Sequence, residues 1–271
     1  MSTQTQEKTF IHDREKGLKI RDFPTEEGAK LAEAFLRKLN ENDILAPRLI
    51  RREGNRLITE YLPGAPFLIR PNNESIRMVS ELQAKIHELE WEGYDSREVS
   101  FENYRKNFRS FLDVYYEAGL MKEPQFKRMM EHFVNLTPWQ MHPGLIHDDI
   151  WGGNLLLHER DLYLIDYASV KHLSLEHDVL NTSRYFQTAV ESRLRGPYNM
   201  NTRYLRAYSL QGKKMRFVCE TLLVNRDFFA AYNAFRKGSN MLNRVKKGRE
   251  GIEELAFARR QIKLVTRFLK I

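Results

Sequence analysis

The chain has 271 residues, a single cysteine and a formal net charge of +8, with 42% hydrophobic and 30% charged residues. That length supports one continuous core with a cleft, and no Gly/Ser/Pro-rich tract or repeat divides it. No apolar run approaches the ~20 residues of a membrane span, residues 1–7 are too polar for a secretory signal, and one cysteine excludes a disulfide framework, so a cytoplasmic setting is expected.

Residues 8–12 (KTFIH) and 17–23 (GLKIRDF) read as two strands around a turn at 13–17. Thr25 is placed to cap a helix carrying Leu31, Phe35 and Leu39 on one side. Residues 56–67 (RLITEYLPGAPF) form a β-rich run stopped by Pro63-Gly64-Ala65-Pro66. The next helix places Ile76, Val79, Leu82, Ile86 and Leu89 along one stripe, with His87 as a packing or capping histidine rather than a ligand.

Residues 145–167, LIHDDIWGGNLLLHERDLYLIDY, carry the most information. A polar loop lies between apolar segments, and a hairpin follows whose second strand ends on a carboxylate. His147, Asp149 and Asn154 have the spacing H-x-D-x-x-x-x-N, and Asp166 follows on the strand end. This is the layout of a catalytic loop for phosphoryl transfer. Such chemistry needs a carboxylate to orient the acceptor hydroxyl and take its proton, which Asp149 supplies. It also needs oxygen donors that hold magnesium on the nucleotide phosphates, which are Asn154 and Asp166. A zinc site at His142, His147, His158 and His177 fails on spacing.

The stretch resembles the aminoglycoside phosphotransferase and choline kinase branch of the protein-kinase-like fold, in which H-G-D-x-x-x-x-N precedes an I-D strand end. Asp148 stands where those enzymes usually carry glycine. Ile150-Trp151-Gly152-Gly153-Asn154 is similar to the fructosamine kinases, with a further echo of lipopolysaccharide core sugar kinases. The resemblance implies an α+β bilobal fold: a small lobe of sheet and helix over residues 1–62, and a larger, mainly helical lobe over 63–271. It implies ATP and Mg2+ as co-substrate and metal. Hinge backbone at Glu60, Tyr61 and Leu62 would meet the adenine, and Lys19 would contact the phosphates. Glu33, or else Glu26 or Glu27, would pair with that lysine. His147 and Asp178 would support the catalytic loop. No G-x-G-x-x-G precedes Lys19, where only Gly17 stands, so a more open phosphate site, a lid completed by substrate, or lost catalysis is expected.

Charge is distributed unevenly. Residues 193–271 hold 19 Lys and Arg against 5 acidic residues. In this branch the last helices help to form the acceptor site, so the basic excess favours an anionic acceptor such as a phosphorylated sugar or a lipopolysaccharide core over a polycationic one. Arg193, Arg195, Lys213 and Lys214 stand near Tyr198, Tyr204 and Tyr208, but without a recognised motif nucleic acid is not the expected partner. Arg244, Lys246, Lys247 and Arg249 are read as a loop. The final helix sets Ile252, Leu255, Ile262 and Val265 against Arg259, Arg260, Lys263 and Arg267, a pattern of packing first and of peripheral membrane contact second. A non-catalytic binding module presenting this basic surface is the alternative from another class. Cys219, among Phe217, Val218, Leu222 and Leu223, reads as a buried structural thiol.

Overall fold

Four antiparallel strands open the fold in the computed structural model, which describes residues 10–13, 17–67, 72–91, 99–136, 138, 140–186, 201–246 and 252–268. β1 (Phe10–Asp13) pairs with β2 (Leu18–Asp22), β2 with β4 (Arg56–Glu60), and β4 with β3 (Leu49–Glu53), giving the order β1-β2-β4-β3. Gly17 enters β2 at φ +64°, a conformation open to glycine at little cost. Between β2 and β3 runs α1 (Glu26–Glu41), and the Thr25 hydroxyl accepts from the Gly28 N–H at 3.1 Å to cap it. Its buried face, Phe35, Leu36 and Leu39, packs against β3 and β4. In the β2–β4 ladder Lys19 lies opposite Thr59 and Arg21 opposite Leu57. Because strand side chains alternate, Lys19 and Arg21 share one face.

β5 (Ala65–Pro66) is followed by α2 (Asn73–Glu88), α3 (Phe101–Glu117) and α4 (Glu123–Asn135). The apolar stripe expected on α2 is buried at Ile76, Val79, Leu82 and Ile86. Then come β6 (Pro143–Ile146), the hairpin β7 (Leu155–His158) and β8 (Asp161–Leu164), and β9 (Lys171–Ser174). β5 joins the hairpin in the order β5-β7-β8, while β6 pairs with β9. The β6–β9 ladder therefore ties together the entry to the loop at 147–154 and the exit from the segment at 165–170.

The chain continues as α5 (Leu175–Ser183), a 3-10 turn at Arg184–Phe186, α6 (Thr202–Ser209), α7 (Lys213–Val224), α8 (Arg226–Lys246) and α9 (Ile252–Phe268). α8 packs on α3 and α9, and rings stack through this core: Phe108 on Phe133 at 3.8 Å and Phe133 on Phe228 at 4.6 Å. α9 buries Ile262 and Val265, the packing expected from its sequence. One expectation is corrected. Arg244 and Lys246 are not in a loop, because α8 carries through them; Lys and Arg are good helix formers and do not end a helix. Lys247, Arg249, Arg193, Arg195 and Tyr198 lie outside the described residues. Cys219 is buried, and burial pushes its thiol up to about 12.

Candidate active site

The polypeptide leaves β6 and places His147 in the core, its ring 6.1 Å from Phe35 and 6.5 Å from Tyr167. Neither ring nitrogen has a hydrogen-bond partner among the described residues, so the contacts that hold His147 there are those of packing. Asp148 follows at φ +62°, in the left-handed region. Glycine fits such a position best, and Asp is among the few L-residues that tolerate it, which accounts for the departure from H-G-D.

The Asp148 side chain is buried in a polar cluster. Oδ1 accepts from Asn181 Nδ2 at 2.9 Å and lies 3.1 Å from His177 Nε2, while Oδ2 meets the Lys171 ammonium and the Arg236 guanidinium. Burial alone would favour the neutral acid, but Arg236, Lys171 and His177 outweigh it and hold the carboxyl well below the usual range. His177 is itself lowered to about 4 by burial and by Arg236, so it is neutral.

Asp178 holds the same turn from beneath. Its Oδ1 accepts the Asp148 backbone N–H at 2.9 Å, and its Oδ2 lies 3.0 Å from both Gln83 Nε2 and His87 Nε2. His87 Nδ1 in turn lies 2.7 Å from the Tyr208 hydroxyl. The loop backbone is thereby anchored to α2 and α6, and His87 is the packing histidine its sequence context implied.

Asp149, Asn154 and Asp166 converge on one region. Asn154 sits in a short 3-10 turn, Gly152–Asn154, and its Nδ2 donates at 2.9 Å to both the Oδ2 and the backbone oxygen of Asp149. The Asn154 carbonyl accepts from the Ile165 N–H at 2.9 Å, one residue before Asp166. Asp166 adopts φ +65° and accepts from the Ala168 N–H at 3.2 Å and from the Arg21 guanidinium. Burial works against its charge, yet Arg21 and the Ala168 N–H bring its pKa below the ordinary value.

Lys19, Arg21, Thr59, Asp166 and Tyr167 line a cavity of about 20 Å³, room for about one water. Burial brings the Lys19 pKa below its ordinary value, with Asp166 opposing the shift. The pairing expected of Glu33 is corrected. Glu33 does not pair with Lys19: its Oε1 accepts from Arg37 Nη2 at 2.8 Å and its Oε2 from Arg52 Nε at 2.6 Å, which draws it toward the outer strand β3. At the hinge, the Glu60 N–H bonds Arg48 O at 2.9 Å and the Tyr61 N–H bonds Gly17 O at 2.7 Å, which leaves the Leu62 N–H without a backbone hydrogen bond among the described residues. Arg21 was missed. The readable signal was its position two residues after Lys19, on the same strand face.

The donor set suits magnesium. With Nδ2 turned to Asp149, the Asn154 Oδ1 carries no hydrogen bond among the described residues, and Asp166 already attracts a cationic group. Among the described residues no group of three or more His, Cys, Asp or Glu is placed to hold a metal. A pair of oxygen donors fits magnesium, which keeps waters and substrate phosphate oxygens in its shell.

The sequence matches the phosphotransferase enzyme family over residues 4–211. No curated protein matches it. Solved structures share the fold at low identity. An ethanolamine kinase of Plasmodium vivax superposes with a TM-score of 0.68 at 13% identity, covering 97% of this chain and 83% of that one. An ADP-bound aminoglycoside phosphotransferase gives 0.62 at 12%, covering 99% and 93%. A choline kinase of Streptococcus pneumoniae gives 0.63 at 10%, covering 100% and 92%. With its α+β kinase-like fold, this chain belongs to the phosphotransferase enzyme family.

Proposed function

We propose that this chain transfers the γ-phosphate of ATP, bound with magnesium, to a hydroxyl of a small sugar-like or anionic acceptor in the cytoplasm. The observation that carries the reading is the chain of contacts through Asn154: its amide holds the Asp149 carboxylate, and its carbonyl takes the N–H next to Asp166. Residues 1–62 supply the nucleotide side, with Lys19 toward the phosphates and the Leu62 N–H toward the base; residues 63–271 supply the catalytic loop and the acceptor side. Asp149 orients the acceptor hydroxyl and takes its proton as the new O–P bond forms and the bond to the β–γ bridging oxygen breaks, leaving ADP. Asn154 and Asp166 would hold magnesium, which when bound neutralises charge on the phosphates. For nucleotide to enter so small a cavity, the Arg21 guanidinium must leave Asp166.

The ADP-bound relative supports the nucleotide assignment. A lipopolysaccharide core sugar kinase is the same reading with a larger acceptor, and association of activity with membranes would favour it. The closed Arg21–Asp166 contact is what favours a non-catalytic module instead. Asp149→Asn separates these readings: transfer should fall about 10²–10⁴-fold while nucleotide affinity stays within about twofold. Loss of nucleotide binding together with transfer, in a folded protein, would contradict the assigned roles.

A further inference from the structure

Three separate segments converge around Asp149: Trp151 of the catalytic loop, Arg184 and Tyr185 of the turn after α5, and Lys237 of α8. The Trp151 and Tyr185 rings stand 6.4 Å apart, and both are partly open to solvent, at 43% and 38%. The Lys237 ammonium lies 5.9 Å from the Tyr185 ring centre. Asp149 is close enough to help push the Tyr185 phenol up to about 12, after burial, and to act on Lys237 as well.

Lys237 is half-buried, yet it makes no hydrogen bond or ion pair among the described residues. Its neighbour Arg236 is taken up by Asp148. An ammonium withdrawn from water without a counter-ion is costly, so such a position favours a neutral side chain unless an anion occupies the site. The charged groups facing it are Arg184 from the turn, Arg236 from its own helix, and Asp148 and Asp149 from the loop. Asp148 is already shared by Arg236 and Lys171, so it is not a dedicated counter-ion for Lys237.

Taking Asp149 as the group that meets the acceptor, as proposed above, we infer that Lys237, with Arg184 beside it, is the anion-recognising corner of the acceptor site, so that the acceptor carries a phosphate or carboxylate near the hydroxyl that receives the γ-phosphate. A cationic acceptor would meet repulsion there. Burial, with Arg184 and Arg236, lowers the Lys237 pKa to about 7, so anion binding should respond to pH in the neutral range.

The test is a binding titration by thermal shift with four probes: glucose 6-phosphate, glucuronate, glucose and glucosamine. It is run on wild type, Lys237→Met and Lys237→Arg, each with and without ADP–magnesium. Either anionic probe should raise the wild-type Tm, with the two probes separating phosphate from carboxylate recognition, while glucose and glucosamine should not. Lys237→Met should lose the response, and Lys237→Arg should keep it. Without ligand, Lys237→Met should unfold at or above the wild-type Tm, since it removes an unpaired withdrawn charge. Glucuronate stays ionised from pH 6 to 8, so its affinity for wild type should fall about tenfold across that range as Lys237 loses its proton, and Lys237→Arg should abolish this dependence. No response to either anion, an equal response in Lys237→Met, or a response to glucosamine would overturn the inference. Absence of any ADP–magnesium shift counts against the kinase reading and not against the anion corner, which the nucleotide-free titration reads directly.

Discussion

Asp148 is the residue on which the catalytic loop turns. Its backbone N–H is held by Asp178, and its buried carboxylate is shared by Lys171 and Arg236. Removing one member of a buried ion cluster leaves the others uncompensated, so Asp148→Ala should cost about 3–5 kcal/mol of unfolding free energy in a denaturant titration at pH 7. The sign with pH follows from the lowered carboxyl. Its contribution is complete above the ordinary Asp value and is lost as pH falls through the lowered folded value, so the gap between wild type and Asp148→Ala should narrow only in strong acid. An unchanged midpoint at pH 7 would contradict the cluster's role. Asp149 and Asn154 were legible in the sequence because their spacing is local. The partners of Asp148 were not, since Asn181 lies 33 residues away and Arg236 lies 88 away, and no period connects them. Glu33 was misread for the same reason: its arginine Arg52 comes from β3, and only the folded sheet brings the two together.

Helix α8 is the element that links the core to the proposed acceptor side. Arg236 reaches Asp148, Lys237 lies by Tyr185, and Gly238 lets α3 approach. A Cβ added at Gly238 would clash with the Tyr115 hydroxyl oxygen. Overpacking at such a contact costs about 1–3 kcal/mol, against about 1 kcal/mol gained from replacing a helical glycine, so Gly238→Ala should be neutral to destabilising by about 2 kcal/mol. In a Tyr115→Phe background, which removes the clashing oxygen, the same substitution should cost less; equal costs in both backgrounds would show that the two helices do not meet as described. The Tyr115 hydroxyl has no hydrogen-bond partner among the described residues, so removing it sacrifices none of those. Strands β2 and β4 and the capped helix α1 were legible from alternation and from Thr25, whereas β3 was not read from the sequence. The length of α8 was not, because a run of basic residues on an exposed helix face reads like a solvated loop.

At the scale of the molecule, the candidate site forms where one face of the first sheet meets the loop between β6 and β7. Lys19 and Arg21 come from the sheet, Asp149 and Asn154 from the loop, and Asp166 from the end of the hairpin. The fold was legible because one local motif, set between strands, identified a bilobal architecture that composition alone could not. The nucleotide side was less legible. Which hinge N–H remains open depends on the β2–β4 pairing and the approach of Arg48, both long-range features. No helix among the described residues is long and apolar enough to cross a membrane. The central claim is that Asp166 holds the metal of a bound nucleotide. It is tested most directly by thermal unfolding with ATP, with and without magnesium, on wild type and on Asp166→Ala, each referred to its own ligand-free Tm. The account predicts a magnesium-dependent stabilisation of wild type, approaching about 2.7 kcal/mol at a hundred times the dissociation constant, and its loss in Asp166→Ala. No shift with nucleotide, or an equal shift in the variant, would contradict it.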